Sequence, residues 1–594
     1  MKFKLLMLSM LFLGTSGLVQ GATYYVDPSK GSDANNGLSE TSPWKTLAKI
    51  NSSQFAPGDV ILLRRGAIWR EQLNFPSSGS PAAPIVIDAY GSGELPTISG
   101  ADLIPAESWS LCKSCGANIW EAPVQVKPNV VIFDGAKGNR RSTSTELSSP
   151  GDWFWDSGAL YIFSREEPSA AFQHPRIESG ARSSGLNLTG IANVTVRNIS
   201  ISGANALPYG DGAGIWAITV HLEGPTPANL NISNVSVSNG AGDGIHIENA
   251  NQCSLDSLLV HDNEGAGIEL YHSNAKFPIN SGSITNSEVH HNGFNGIFLV
   301  GCPRGERCRS VVHPDGLIIT NIRITGNKVH DNGAGIYLHE TNDSLISGNV
   351  AYSNMNMSRR GEGYCVGLSG SSSNIVEKND CYKARLAGIE LSIDTGRPPF
   401  GSSENTIRYN VVHDDGTHGI FTNYDPSQHN QILHNLIYNH PQGACIMANF
   451  IRHDIENNTC FNNRIGIHLY VSSTTRKTGN ITAKNNIIVN SSLHHILIEK
   501  GVDGPFDFSG NDYYPDSPAA FNWKGAQFDF VGWLSASGQD GHSILGDPAF
   551  RASVPGQPPD FVLRPGSPAL GKGANLTGEI GSHSANSTVG QRQQ

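Results

Sequence analysis

From residue 185 to 500 one short phrase returns: glycine (or cysteine or histidine), then isoleucine or valine, then any residue, then most often leucine or isoleucine. It reads Gly244-Ile245-His246-Ile247, Gly267-Ile268-Glu269-Leu270, Gly296-Ile297-Phe298-Leu299 and Gly335-Ile336-Tyr337-Leu338. Cys365-Val366-Gly367-Leu368, Gly388-Ile389-Glu390-Leu391, Gly419-Ile420-Phe421-Thr422, Cys445-Ile446-Met447-Ala448, Gly466-Ile467-His468-Leu469 and His495-Ile496-Leu497-Ile498 continue it. Intervals between successive phrases include 23, 29, 39, 23 and 21 residues. A unit of about 22 residues with variable insertions is a solenoid repeat, in which each unit buries its apolar face only against its neighbours.

Each phrase alternates over four to six residues and is rich in β-branched side chains, which is the period of a strand. No segment here holds the i, i+3, i+4, i+7 spacing of a helix. Between phrases lies a second column: Asn198, Asn234, Asn286, Asn327, Asn349, Asn379, Asn410, Asn435, Asn458 and Asn486. Asparagine tolerates left-handed backbone and can bond its equivalent one coil away, so the column marks a sharp turn between strands. Three short strands per coil with asparagine at one corner describe an all-β chain, a right-handed parallel β-helix.

Composition and charge narrow the function. Hydrophobic residues at 38% and aromatics at 8% suffice for a core and exclude wholesale disorder. A net charge of −11, with no long Lys/Arg run, excludes a nucleic-acid partner. Lys2 and Lys4, the apolar Leu5 to Leu13 and the small residues up to Ala22 read as a secretory leader cut after Gly21. No later stretch is long and apolar enough to span a membrane, so a secreted or periplasmic protein is expected. Coil closure removes lateral strand edges, so a monomer is expected.

The sequence also resembles the pectin-lyase-like superfamily of secreted, carbohydrate-active β-helix proteins. The resemblance lies in Tyr24-Tyr25-Val26-Asp27-Pro28, Gly31-Ser32-Asp33, Pro43-Trp44-Lys45-Thr46-Leu47 and Pro57-Gly58-Asp59-Val60-Ile61-Leu62-Leu63 at the start. At the end it lies in Gly546-Asp547-Pro548-Ala549-Phe550, Asp560-Phe561-Val562-Leu563 and Ser567-Pro568-Ala569-Leu570. The organisation expected is a leader (1–21), a cap with first coils (22–100), a small inserted β module (101–182), the helix core (183–500) and closing coils (501–594). Trp109, Trp120, Trp153 and Trp155 mark the insertion. The resemblance implies an extracellular polysaccharide partner and an active site on the sheet that carries the recurring phrase.

Counting the glycine as position zero, positions one and three point inward and positions two and four point outward. Position two reads Trp216, His246, Glu269, Phe298, Tyr337, Gly367, Glu390, Phe421, Met447 and His468, a mixture of rings, imidazoles and carboxylates suited to an exposed sugar groove. A central cluster gathers Tyr337, His339, Glu340, Gly367, Ser369, Glu390 and Asp394, with Gly367 as an open floor. Here Glu390, Glu340 and Asp394 are the candidate acid and base, His339 joins them, and Tyr337 binds sugar. A second cluster pairs Glu248 with Glu269, roughly 8 Å apart on adjacent coils, beside His246, Tyr271 and His272. Carboxylates so spaced suit glycosidic-bond hydrolysis.

A lyase would need a base and a cation instead. Arg360 and Arg385 could meet an acidic substrate, and Asp394 and Asp425 could hold calcium, although no cofactor is required for hydrolysis. Tyr424-Asp425-Pro426 resembles the Asp-Pro-His run of alginate C5-epimerases, but Ser427 stands in place of the histidine. A non-catalytic glycan binder is the third class. Nine cysteines fit an oxidising compartment. The pairs Cys112/Cys115 and Cys302/Cys308 close short loops, Cys365/Cys381 and Cys445/Cys460 share a spacing that suits disulfides or buried thiols, and Cys253 is left over.

Overall fold

The computed structural model describes residues 21–570 except 173–175, 208–211, 219–228, 304, 306, 309–310, 356–362, 394–400, 424–427, 449–451 and 472–479. Residues 1–20 of the expected leader, Arg360, Asp394 and Asp425 therefore lie outside the described residues. Three sheets of 15 strands each form the walls of a right-handed β-helix. One coil shows the order. Ile245–Glu248 lies in the first sheet, Cys253–Asp256 in the second and Leu259–His261 in the third, before Ile268–Tyr271 returns to the first. Neighbouring rungs pair in parallel, and an antiparallel hairpin at 521–528 ends the first sheet.

Register explains the core. Ile245, Ile268, Ile297, Ile336, Val366, Ile389, Ile420, Ile446, Ile467 and Ile496 are fully buried, and their first-sheet partners stack them in one line. Each such side chain withdrawn from water contributes about 1.5–3 kcal/mol, and its methyls meet the same shape above and below. No helix among the described residues is long and apolar enough to cross a membrane.

Residues 101–180 interrupt one coil. Thr97–Ser99 of the third sheet pairs directly with Ser200–Ser202, and between them the chain builds a four-stranded and a five-stranded sheet. Ile104, Trp109, Trp153, Leu160 and Ile162 share a separate small core there.

The asparagine column proves to be two columns. Asn198, Asn234 and Asn286 have φ of 57°, 49° and 50° and make the left-handed turn themselves. From Asn327 onward the left-handed residue is the one before: Gly326, Gly348, Lys378, Tyr409, His434, Asn457 and Asn485. The asparagine that follows is buried and forms a ladder. Asn327 donates its backbone N–H and its Nδ2–H to Asn349 Oδ1 at 2.9 and 3.0 Å, and its Nδ2–H to Ile284 O at 2.9 Å. The pattern repeats through Asn379, Asn410, Asn435, Asn458 and Asn486 to Asn511. Two shorter ladders, Asn263–Asn292–Asn332–Asn354 and Asn374–Asn405–Asn430, occupy the other corners.

Cys112 is bonded to Cys115 and Cys445 to Cys460, and Cys302 is also disulfide-bonded. Cys365 and Cys381 are separate thiols despite matching the spacing of Cys445/Cys460, and Cys253 is free. Cys365 Sγ–H donates to Ala351 O at 3.0 Å, which gives it a partner inside the core. All three free cysteines are buried. Titration with a thiol reagent should therefore find none in the native protein and three after unfolding without reductant; one after unfolding would show that Cys365 and Cys381 are joined.

Candidate active site

The first sheet keeps the outward column in unbroken register: Trp216 beside His246, then Glu269, Phe298, Tyr337, Gly367, Glu390, Phe421, Met447 and His468. It is not the exposed stripe expected. His246 and Glu269 are each 6% exposed and Glu390 only 2%. Rings in register about 4.8 Å apart cover one another, and the carboxylates fold onto neighbouring donors. Trp216 stacks on His246 with ring centres 4.4 Å apart and planes 20° apart.

The strongest convergence is at the second cluster. His246 Nδ1 lies 2.6 Å from Glu269 Oε2 and 3.6 Å from Asp243 Oδ2, and His246 Nε2 lies 3.6 Å from Glu248 Oε2. Ser273 Oγ and Asn249 Nδ2 both donate to Glu248 Oε1, and Asn249 Oδ1 accepts from the Ser273 N–H. Ala266 N–H donates to Asp243 Oδ1 at 2.7 Å. Gly265 leaves the room this needs, because a Cβ there would stand 2.1 Å from Asp243 Oδ1. Tyr271 packs edge-on to the imidazole at 6.3 Å. His272 turns away, its Nδ1 3.2 Å from Ile318 O, and burial lowers its basicity.

Asp243 is the member that sequence reasoning missed. The residue before the phrase glycine is alanine at 213, 266, 334 and 387, so an aspartate at 243 was the available signal.

Three carboxylates around one imidazole cannot all be ionised cheaply in a buried place. Burial works against a charged His246, but bonding to Asp243, Glu248 and Glu269 outweighs it and holds the imidazolium well above its usual range. Burial and the neighbouring Asp243 push the Glu269 carboxyl up, against the pull of His246. Glu269 is thus the carboxyl of the cluster that keeps its proton to higher pH than an ordinary glutamate. Donor atoms of Asp243, His246 and Glu269 also lie within 4.8 Å of one another, close enough to share a cation.

The central cluster assembles differently from expectation. Glu340 is fully buried at the corner with φ of 52°, where the in–out alternation of the strand has ended. Its Cβ fills the space above Gly301. Gly367 is no open floor: the Tyr337 ring lies over it, 2.5 Å from where a Cβ would stand. Glu390 Oε1 accepts from Asn423 Nδ2 at 3.0 Å, and Tyr470 Oη donates to Asn423 Oδ1 at 3.3 Å. His339 is half-buried between Val300 and Ser369. Arg385 is exposed on the corner ahead of Ile389–Ser392. Four rungs, about 19 Å, separate Glu269 from Glu390. Phe298 and Tyr337, 5.7 Å apart, lie between them.

Over 78 residues the chain is 44% identical to lacto-N-biosidase of Bifidobacterium longum subsp. longum, a stretch equal to 12% of this chain and 5% of that protein's length. Among solved structures, XylC in complex with xylose covers 89% of this chain and 87% of its own, at 14% identity and a TM-score of 0.45. The GH136 lacto-N-biosidase from Eubacterium ramulus covers 70% of this chain and 64% of its own, at 17% identity and a TM-score of 0.37. A family model, the right-handed β-helix region, matches residues 154–301 and 279–452, together half of the chain and including every member of both clusters. With the 15-stranded parallel walls, that match places the chain in the right-handed β-helix family.

Proposed function

We propose that this chain is an exported glycoside hydrolase that cleaves an extracellular glycan at the cluster of Asp243, His246, Glu248 and Glu269. The convergence of three carboxylates on one buried imidazole carries the reading. Hydrolysis needs one carboxyl that still holds its proton and one that does not. Glu269, pushed up by burial and by Asp243, is the proton donor to the leaving oxygen. Glu248, held by Ser273 and Asn249, is the partner carboxyl that acts as the base. His246 stands between them as a spacer, capped by the Trp216 ring, and the partly exposed Tyr271 meets the sugar. Glu390, Asn423 and Tyr470 bind a more distant sugar along the same sheet. The short match to a protein named as a biosidase supports hydrolysis over the other chemistries.

A second reading is a cation-assisted lyase, favoured by the Asp243, His246 and Glu269 donor set. Such an enzyme would take the proton α to a uronate carboxylate while the cation neutralised that carboxylate. One assay separates the two. The mature chain is incubated with neutral and uronate glycans, with and without chelator, and new reducing ends and enoyl absorbance are read together. Reducing ends without absorbance, insensitive to chelator, are expected. Absorbance that vanishes in chelator would replace hydrolysis with elimination.

A further inference from the structure

The outer face of the third sheet carries a continuous stack of rings. His261, His290, His330, Tyr352, Tyr382, His413 and Tyr438 follow one another at 4.6–5.0 Å with planes within 14°. The residue after each ring turns the corner in left-handed backbone: Asp262, His291, Asp331, Ser353, Lys383, Asp414 and Asn439. Three of the histidines bond that next residue through a carboxylate, His261 to Asp262, His330 to Asp331 and His413 to Asp414, at 2.6–2.7 Å. One coil departs from the pattern. There the corner residue is His291, and its Nδ1 lies 2.8 Å from His290 Nδ1.

We propose that this corner binds one divalent transition-metal ion of the zinc class through His291 and, from the next coil, His330 and Asp331. Their donor atoms lie within 4.8 Å of one another. Two imidazole nitrogens and a carboxylate oxygen suit zinc, nickel or copper rather than calcium, and three protein ligands leave the remaining position to water. The ring of His330 is already oriented. Its Nε2–H donates to Glu288 Oε1 at 3.1 Å, and Lys328 Nζ holds the same oxygen at 2.7 Å. In the ion-free protein Nδ1 shares its proton with Asp331 at 2.7 Å; the ion would take that proton's place while Nε2–H stays on Glu288, the arrangement by which an outer carboxylate positions a metal-binding histidine. The bound ion would pin two successive coils together on a face remote in register from the glycan cluster.

The test uses tag-free mature protein, stripped with chelator, titrated with zinc chloride by calorimetry. One ion per chain is expected. His291→Asn should weaken binding by about tenfold or more, as loss of a ligand or its support does. It should leave the zinc-free melting temperature unchanged, because asparagine already makes the same left-handed corner at Asn239, Asn439 and Asn462. Asp243→Asn should bind zinc like the parent. Unchanged zinc affinity in His291→Asn, loss of it in Asp243→Asn, or no binding by the parent up to about 1 mM would overturn the proposal.

Discussion

Glu269→Gln is expected to abolish turnover of the glycan that the assay identifies, with a loss of about 10²–10⁴-fold, the range that a positioned proton donor supplies. Glutamine fills the same space beside His246 but has no proton to give. Retention of the substrate on an affinity gel should survive, which separates lost chemistry from lost folding. The pH profile adds a signature that a structural role would not produce. Burial and Asp243 raise the Glu269 pKa, so the acid form persists to higher pH than in an ordinary glutamate, and activity falls as pH rises through that raised value. Asp243→Asn removes a negative neighbour, lowers the Glu269 pKa and moves the alkaline limb toward acid.

The same shift has a sign in stability. The folded chain holds this proton where the unfolded chain has released it, so its contribution is fully present below about pH 4.3 and is lost as pH rises to the folded pKa. Glu269→Gln should flatten that part of the stability profile. Full activity in Glu269→Gln with loss in Glu390→Gln would move the centre to the other end of the sheet.

What the sequence made legible was whatever repeats. Strand period, coil length and the outward column followed from side chains that recur at one register, and the pairing of Trp216, His246, Glu269 and Glu390 along the sheet agrees residue by residue. What it could not show is how side chains use the space between coils. Counting outward from the phrase glycine assigned Glu340 to the pocket, but alternation holds only while the strand lasts, and position five already turns left-handed. A glycine at 367 read as empty floor because sequence does not say that the ring of Tyr337 leans into it. Asp243 was passed over because it precedes the strand, yet the sharp corner brings it back over Glu269.

The asparagine columns give the second large effect, and Asn457 and Asn458 test it side by side. Asn458 is fully buried. Its Oδ1 accepts the backbone N–H and Nδ2–H of Asn435 at 2.9 and 3.0 Å, and its Nδ2–H reaches Ile432 O at 2.8 Å. The Nδ2–H group also reaches Glu456 O at 3.2 Å and Asn486 Oδ1 at 3.1 Å, so Asn458→Ala removes five side-chain bonds and strands buried partners such as the Asn435 N–H, each costing about 1–3 kcal/mol, and a loss of about 3–5 kcal/mol is expected. Asn457 makes the left-handed turn with φ of 55°. Glycine takes that conformation without strain, so Asn457→Gly should change stability by less than about 1 kcal/mol. The reading is the urea midpoint together with hydrogen exchange at Asn435 and its neighbours, because a solenoid loses stability first in the repeats around the defect. Equal midpoints for the two variants would mean that the corner is held by its backbone conformation alone, and that the ladder of amides adds nothing that water could not supply.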